Sequence, residues 1–443
     1  MKWLWAAIIV YLVIFGAMTA LRHYNFQTQA WDLGIYAQTF WNTVHGRVMQ
    51  NSIEEIGQHL GVHLNPFLFL LVPGYVIFPS PYYLLIIQTL ALALGAWPLY
   101  LLANHVLQNK KPALAVSIAY LLYPALHWVN WYDFHPIAFL TPLFLAAFYF
   151  AEIKNWKWFA VFALLAASVQ EDAVLAVAFL GIYLILRKEY KMGIATFLLS
   201  ILYFLISVKF IMPYFGGGLL RLDRYDPAVF YSPALLLKTA FSYPKLIYML
   251  NLLWPVAFLP LLAPAAWLLL APGLAQNLLT RYSPQFSGNY QYDSVLIGAI
   301  FIATVFGLRK ANKNKKVIGL LVVASALAFL VRSPVGFLNF PTEFFKENPH
   351  RDAMRNMLSH VPAGASVAAN TNLVPHLADR ERVYMLGAER AEPDVVLIDG
   401  ADYFGFKTPE DFQKYAASYA ASGLYEARIL DDRYYILILI KTK

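Results

Sequence analysis

The 443-residue chain is 60% hydrophobic and only 14% charged, with a mean hydropathy of +0.53, whereas soluble domains run near half apolar and a quarter charged. That balance excludes an ordinary soluble globule and leaves room for roughly ten spans of about 20 residues with one small soluble domain. The net charge of +8 lies largely in short loops between apolar runs, where membrane topology puts it, so no nucleic-acid partner is implied; the absence of cysteine excludes disulfides, thiolate metal sites and cysteine nucleophiles.

Met1-Lys2-Trp3 opens an apolar run to Ala20. Gly16, Ala17 and Ala20 near its end form no Ala-x-Ala cleavage pattern, so the run reads as an uncleaved anchor. A polar first exterior loop follows at residues 22–63 and contains Trp31-Asp32-Leu33-Gly34-Ile35-Tyr36-Ala37-Gln38. Asp32 is thus a carboxylate at the membrane surface. The run Leu64 to Phe78 covers only about 22 Å against a hydrocarbon core of about 30 Å, which predicts a re-entrant or interfacial segment.

Further apolar runs occupy Tyr82 to Leu107, Ala113 to Val129, Pro136 to Ala151, Trp158 to Leu186, Ile194 to Met212, Leu246 to Leu279, Val295 to Leu308 and Val317 to Val331. The run Trp158 to Leu186 carries Gln170-Glu171-Asp172 at its middle. One carboxylate at the bilayer centre costs about 2.5 to 3.5 kcal/mol, so this run is expected to break into two helices at Gln170. Pro255, Pro260 and Pro264 predict two helices for Leu246 to Leu279. The count is then about 11 spans plus the re-entrant segment. With it, Lys110-Lys111, Lys154 with Lys157, Arg187-Lys188 with Lys191, and the basic run from Arg309 to Lys316 fall on the side of Lys2. The positive-inside rule makes that side cytoplasmic.

The same topology gathers the Asp32 loop, Gly61 to Pro66, Tyr132 to Pro136, Gln170 to Asp172 and Pro213 to Lys245 on the outer face. Residues 340–443 form a different kind of sequence from the membrane part, 1–335. Strand-like runs Ser366 to Ala369, Arg382 to Leu386, Asp394 to Ile398 and Tyr434 to Ile440 alternate with helical patterns at Arg351 to Ser359 and Pro409 to Ser422. They predict a small extracytoplasmic α/β domain, with a hairpin turn at Asp431-Asp432 and no glycine-rich phosphate fingerprint.

Each polar residue has a structural reading beside a chemical one. Asp32 suits an N-cap for a helix starting at Leu33 as well as it suits a general base. His63 and His135 adjoin span boundaries, where packing histidines are common, whereas Glu171 and Asp172 interrupt an apolar run at a cost that points to function. Arg221 and Arg224 accompany Gly216-Gly217-Gly218 in a loop that suits an anion, or that is simply a solvated loop with self-paired charges.

The order Asp32-Leu33-Gly34-Ile35-Tyr36 with Gln38, then His63-Leu64-Asn65-Pro66, Phe134-His135-Pro136 and Glu171-Asp172 resembles a family of predicted membrane proteins called domain of unknown function 2079. That family resembles the GT-C superfamily of multi-span glycosyltransferases, among them protein mannosyltransferases and lipid A aminoarabinose transferases. The resemblance implies a polyprenyl-phosphate sugar as donor and a first-loop aspartate, here Asp32, as the base of an inverting transfer. It places Glu171 and Asp172 beside Asp32 as catalytic candidates. Gln38, His63, Asn65, His135, Arg221, Arg224 and Arg281 are then substrate-binding candidates, with Lys209 a further phosphate partner. Leu33 stands where many superfamily members have a second acid, and Gln170 where a basic residue is expected before the Glu-Asp pair, which leaves metal dependence open. His63, His135, Glu171 and Asp172 would suit a divalent ion such as Mg, Mn or Zn if they converge.

The sequence thus predicts a polytopic α-helical, GT-C-like protein of the plasma membrane. Its expected activity is transfer of a sugar to a glycan, lipid or protein acceptor at the outer face. The competing classes are a transporter or lipid flippase and a non-catalytic scaffold.

Overall fold

The computed structural model of the chain describes residues 1–218 and 221–442. The protein is mostly helical, with one five-stranded sheet near its C-terminus. It divides into two compact units, the first made of 1–19, 60–70 and 85–341 and the second of 20–59, 71–84 and 342–443.

Among the described residues, four helical segments are long and apolar enough to cross a bilayer: Lys2–Tyr24, Pro81–Leu107, Tyr190–Tyr214 and Gln291–Lys310. A fifth crossing is available if Lys110–Leu121 and Pro124–Trp131, bent by 41°, act as one span. The apolar helices Pro136–Glu152, Trp156–Ala167 and Ala173–Leu186 are shorter, so helix length by itself does not reproduce a count of eleven.

In the first unit, the run from Trp158 breaks where its carboxylates fall. The helices Trp156–Ala167 and Ala173–Leu186 flank the Glu171-Asp172 turn. The three prolines between Leu246 and Leu279 act similarly: Pro255, Pro260 and Pro264 each lie in a 3-10 turn between the helices Tyr243–Leu253 and Trp267–Leu279, because proline lacks the N–H that would continue a helix. The run Leu64 to Phe78 is not one helix but a 3-10 turn, Pro66–Leu70, and a short helix, Val72–Ile77.

The helix within Gln291–Lys310 has 78% of its apolar window buried, against 11% for Tyr190–Tyr214. The latter therefore presents Leu198, Leu199, Leu202 and Phe210 outward, as a lipid-facing helix does. It is fastened to Ala173–Leu186 through Gly181 and Gly193; a Cβ on Gly181 would lie 2.6 Å from the Phe197 backbone nitrogen, so glycine permits the close crossing. The basic turns meet one another: Lys154 lies 2.5 Å from Glu189, Arg187 lies 3.9 Å from Glu152, and Lys313 Nζ donates to the Leu107 carbonyl.

The second unit is built on the sheet. Its strands are β1 (Val367–Ala369), β2 (Val383–Met385), β3 (Val395–Asp399), β4 (Tyr425–Asp431) and β5 (Ile436–Lys441), in the order β2-β1-β3-β5-β4. β1 is parallel to both β2 and β3, while β5 runs antiparallel to β3 and β4. Alternation sorts the side chains: Val395 and Leu397 pack with Met354 and Met357 of the helix Pro349–Ser359, and Val396 and Ile398 pack with Phe412 of the helix Pro409–Ala421. Phe26, Ala30, Ile35 and Ile53 of the first polar loop complete the face shared with Met354. That loop is accordingly part of the sheet's hydrophobic core.

Candidate functional site

In the first unit the Glu171-Asp172 turn organises one polar end. His63 Nδ1 lies 2.9 Å from Glu171 Oε1, and the Leu64 N–H donates to Oε2 at 3.1 Å. Asn65 Nδ2 donates to the Val169 carbonyl at 2.7 Å and the Phe67 N–H to the Ser168 carbonyl at 3.0 Å. The loop and the turn are thus zipped together. Asn65, expected at the substrate, is fully buried and acts as a loop clasp.

Asp172 accepts from Gln276 Nε2 at 3.1 Å. The Gln276 carbonyl in turn accepts from the Tyr225 hydroxyl and from Gln285 Nε2. Burial, and then the neighbouring Glu171 charge, push the Asp172 carboxyl above the usual carboxylate range. Next in the chain to Tyr225, Arg224 lies with its guanidinium carbon 4.1 Å from the Tyr282 ring centroid, and it donates to the Tyr292 hydroxyl at 3.3 Å. Arg281 pairs with Asp226, and its N–H donates to the Arg224 carbonyl at 2.7 Å. Arg221 and Lys209 are exposed.

Aromatic rings extend the same surface. Tyr290 meets Tyr132 edge-on at 4.5 Å, and Tyr292 is 6.4 Å from Tyr290. His135 stacks on Tyr132, turns its Nδ1 to the Tyr132 carbonyl, and donates its backbone N–H to Gln88 Oε1. The first unit therefore links Glu171, Asp172, His63, Asn65, Arg224 and Arg281 through direct contacts and one shared glutamine, with His135 reached through the tyrosines.

The glycine triplet has a packing role. A Cβ on Gly217 would fall 1.7 Å from the Gly61 carbonyl oxygen, and the Gly218 N–H donates to that same oxygen. Close approach to the loop carrying His63 accounts for Gly217.

Asp32 belongs to the second unit, partly exposed beside the exposed Trp31. It lies inside a π-helical turn, Ala30–Gly34, which runs into the helix Ile35–Val44. Gln29 and Gly34 are the residues at the cap positions, so Asp32 is not the N-cap that its spacing suggested. Single π-turns occur frequently at functional sites. The turn is anchored on the sheet domain: Thr371 Oγ1, just beyond β1, donates to Gln29 Oε1 at 2.7 Å, and Gly34 packs against Val374. Gln38 is fully buried, bonding Ser52 and the carbonyls of Arg380 and Glu381. Its amide joins two chain segments rather than reaching a substrate.

Among the described residues no group of three or more His, Asp or Glu side chains is arranged to hold a metal ion. His63, Glu171 and Asp172 are neighbours, but His135 does not join them as a ligand and Asp172 turns to Gln276. Among the described residues the four candidate donors therefore do not converge on a site that fits a divalent ion.

Several participants carry no motif. Gln276 comes from the largely aliphatic helix Trp267–Leu279, and Tyr225, Tyr282 and Tyr292 come from loops and a 3-10 turn, with no spacing that marks any of them. Buried Glu54, bonded to Asn51 and lying 3.0 Å from His59, likewise carries no motif. The spacing Glu54 to His59 was the available signal.

Among solved structures, the fold is similar to ArnT from Cupriavidus metallidurans bound to undecaprenyl phosphate, at a TM-score of 0.61 and 11% identity over 99% of this chain and 98% of that one. It is similar also to ArnT from the same organism in the apo state, at 0.59 and 11% over 99% and 97%. At this identity the likeness is one of fold. No curated protein matches the chain. Residues 22–428 match the family described as predicted membrane protein (DUF2079), and the chain belongs to that family.

Proposed function

We propose that the protein is an inverting glycosyltransferase that takes a sugar from a polyprenyl-phosphate carrier at the outer face of the plasma membrane. The observation that carries the reading is the ArnT-like fold over nearly the whole chain, one example of which is bound to undecaprenyl phosphate. In this reading the N-terminus is cytoplasmic, the shorter apolar helices complete about eleven crossings, and the sheet domain, residues 340–443, is extracytoplasmic. The acceptor is a hydroxyl of a glycan, a lipid or a protein.

Asp32 acts as the general base. The acceptor oxygen attacks the anomeric carbon while its proton passes to the Asp32 carboxylate. The bond from that carbon to the lipid phosphate breaks on the opposite face, and the phosphate leaves on its polyprenyl chain with the bonding electrons. A base must reach the hydroxyl within hydrogen-bond distance, and the leaving phosphate needs positive charge. Arg224, held between Tyr282 and Tyr292, suits the phosphate by its planar fork, with Arg281 and His63 as secondary partners. Tyrosine faces suit the C–H side of a sugar ring, because the negative face of the ring attracts the slightly positive hydrogens. Glu171 and Asp172 hold the loop and Gln276 in place.

The test is sugar release from radiolabelled polyprenyl-phosphate sugars by purified protein in liposomes, against Asp32→Asn. The natural chain should turn over at least one donor, and the variant should lose about a hundredfold or more, as removal of a general base does. Equal turnover by the variant removes Asp32 from the reaction. Flux of the lipid or sugar across sealed vesicles with no covalent product replaces transfer with transport.

A further inference from the structure

The second unit contains a polar cavity of about 200 Å³ whose lining includes Asn42, Arg47, Asn51, Arg382, Tyr384 and Arg390. It is separate from the Asp32 turn, and the reaction above does not use it. The lining holds guanidiniums, amides and hydroxyls, with no aliphatic side chain. Such a surface would be wasted on an apolar ligand and suits one that offers oxygen acceptors at several points.

Charge narrows the class. Three arginines line the cavity with one carboxylate, Glu381. Glu381 is shared at long range, 3.7 Å from Arg47 and 3.8 Å from Arg382, so it neutralises neither fully. Arg390 is held by the backbone carbonyls of Ser52, Glu54 and Glu55; these fix its position and leave its charge uncancelled. Arg47 is fixed in turn by donation from Nε to Asn42 Oδ1 at 2.7 Å and by the Trp41 ring beneath it, 5.3 Å from the guanidinium carbon. The cavity thus presents preorganised positive charge with neutral polar groups around it. Its volume is below the roughly 300–1,000 Å³ of drug-sized sites, which restricts the occupant to about one ring.

We propose that this cavity binds an anionic saccharide, a single sugar unit bearing a carboxylate or a phosphate. The guanidinium fork matches either group, and the Asn42 amide nitrogen, whose oxygen is taken by Arg47, with the Tyr384 hydroxyl suits the ring oxygens. The inference stands on binding alone and is independent of whether Asp32 acts as a base.

The experiment is calorimetric titration of the full-length protein, in nanodiscs of zwitterionic lipid that keep anionic headgroups out of the measurement. The probes are glucuronate, glucose 6-phosphate and glucose. At least one acid should bind about tenfold or more tighter than glucose, and Arg382→Gln should weaken it by about tenfold, the worth of one charge-assisted contact. Arg382 is largely exposed and its contact to Glu381 is long, so the variant should fold. Added salt should weaken the acid and not glucose. The stronger acid decides between carboxylate and phosphate. Equal binding of glucose, unchanged affinity in Arg382→Gln, or no binding of either acid overturns the proposal.

Discussion

His63 Nδ1 sits 2.9 Å from Glu171 Oε1 while the other oxygen of the same carboxylate takes the Leu64 N–H. One buried side chain therefore joins two loops that are over a hundred residues apart in sequence. Glu171→Ala should lose about 1–3 kcal/mol of stability, because the Leu64 N–H would be left without its acceptor. Glu171→Gln keeps an acceptor oxygen and should recover most of the loss. Thermal unfolding in detergent checks both; an unchanged melting temperature in the alanine variant would show that the loops are joined by other means.

Arg224 is distinguished from its neighbours by how it is held. The guanidinium lies against Tyr282 and reaches the Tyr292 hydroxyl, whereas Arg281 is paired with Asp226 and Arg221 is exposed. The sequence offered Arg221 and Arg224 together as anion partners. The structure favours Arg224, since a stacked arginine is preorganised for a bidentate anion. Arg224→Lys should lower kcat/KM for a polyprenyl-phosphate sugar by about tenfold, the loss of one charge-assisted bond. Arg221→Gln should change it by less than about twofold, as an exposed charge does. Steady-state kinetics with both variants tests the order.

How much was legible follows from which forces are local. The break at Gln170, the proline-interrupted run before Leu279, four of the five strands and both sheet-packed helices were readable, because each rests on composition or period within a short window. β4, Tyr425–Asp431, was missed: its first residue is buried but most of its side chains are exposed, as fits an edge strand, so it shows no alternation. The partners of the Glu-Asp pair were half legible. His63 and Asn65 had been grouped with it, yet Gln276 is an ordinary amide in a helix, and only folding brings it to Asp172. The membership of Phe26, Ala30, Ile35 and Ile53 in the sheet core was invisible for a similar reason. A hydrophobic residue in a polar loop does not announce which distant face it covers.

Gly217 faces a constraint that no side chain satisfies. A Cβ there would lie 1.7 Å from the Gly61 carbonyl oxygen, and the obstacle is backbone, which cannot swing away. Gly217→Ala should therefore destabilise the first unit by about 1–3 kcal/mol or more, as overpacking does. Gly218→Ala, with open space around its Cβ position, should be nearly neutral. Comparing the melting temperatures of the two variants separates close packing from loop flexibility; equal, small effects would return the triplet to the reading of a flexible anion loop.

His350 gives the sheet domain a pH signature. Its Nε2 lies 2.9 Å from Asp399 Oδ1 at the end of β3, and this bond, against the opposing effect of burial, raises the imidazole above its ordinary value. The folded form thus holds the proton more tightly than the unfolded chain, whose histidine titrates near about 6.5. By linkage, the extra stability is fully present below that pH and is lost as the pH rises through the raised folded value. His350→Gln can still donate to Asp399 but cannot titrate. The difference in melting temperature between the natural chain and the variant should therefore be largest near pH 5.5 and shrink steadily toward pH 8.5, following the titration of one group. A difference that stays constant across this range, or grows with pH, would show that the His350 and Asp399 pair contributes by packing alone.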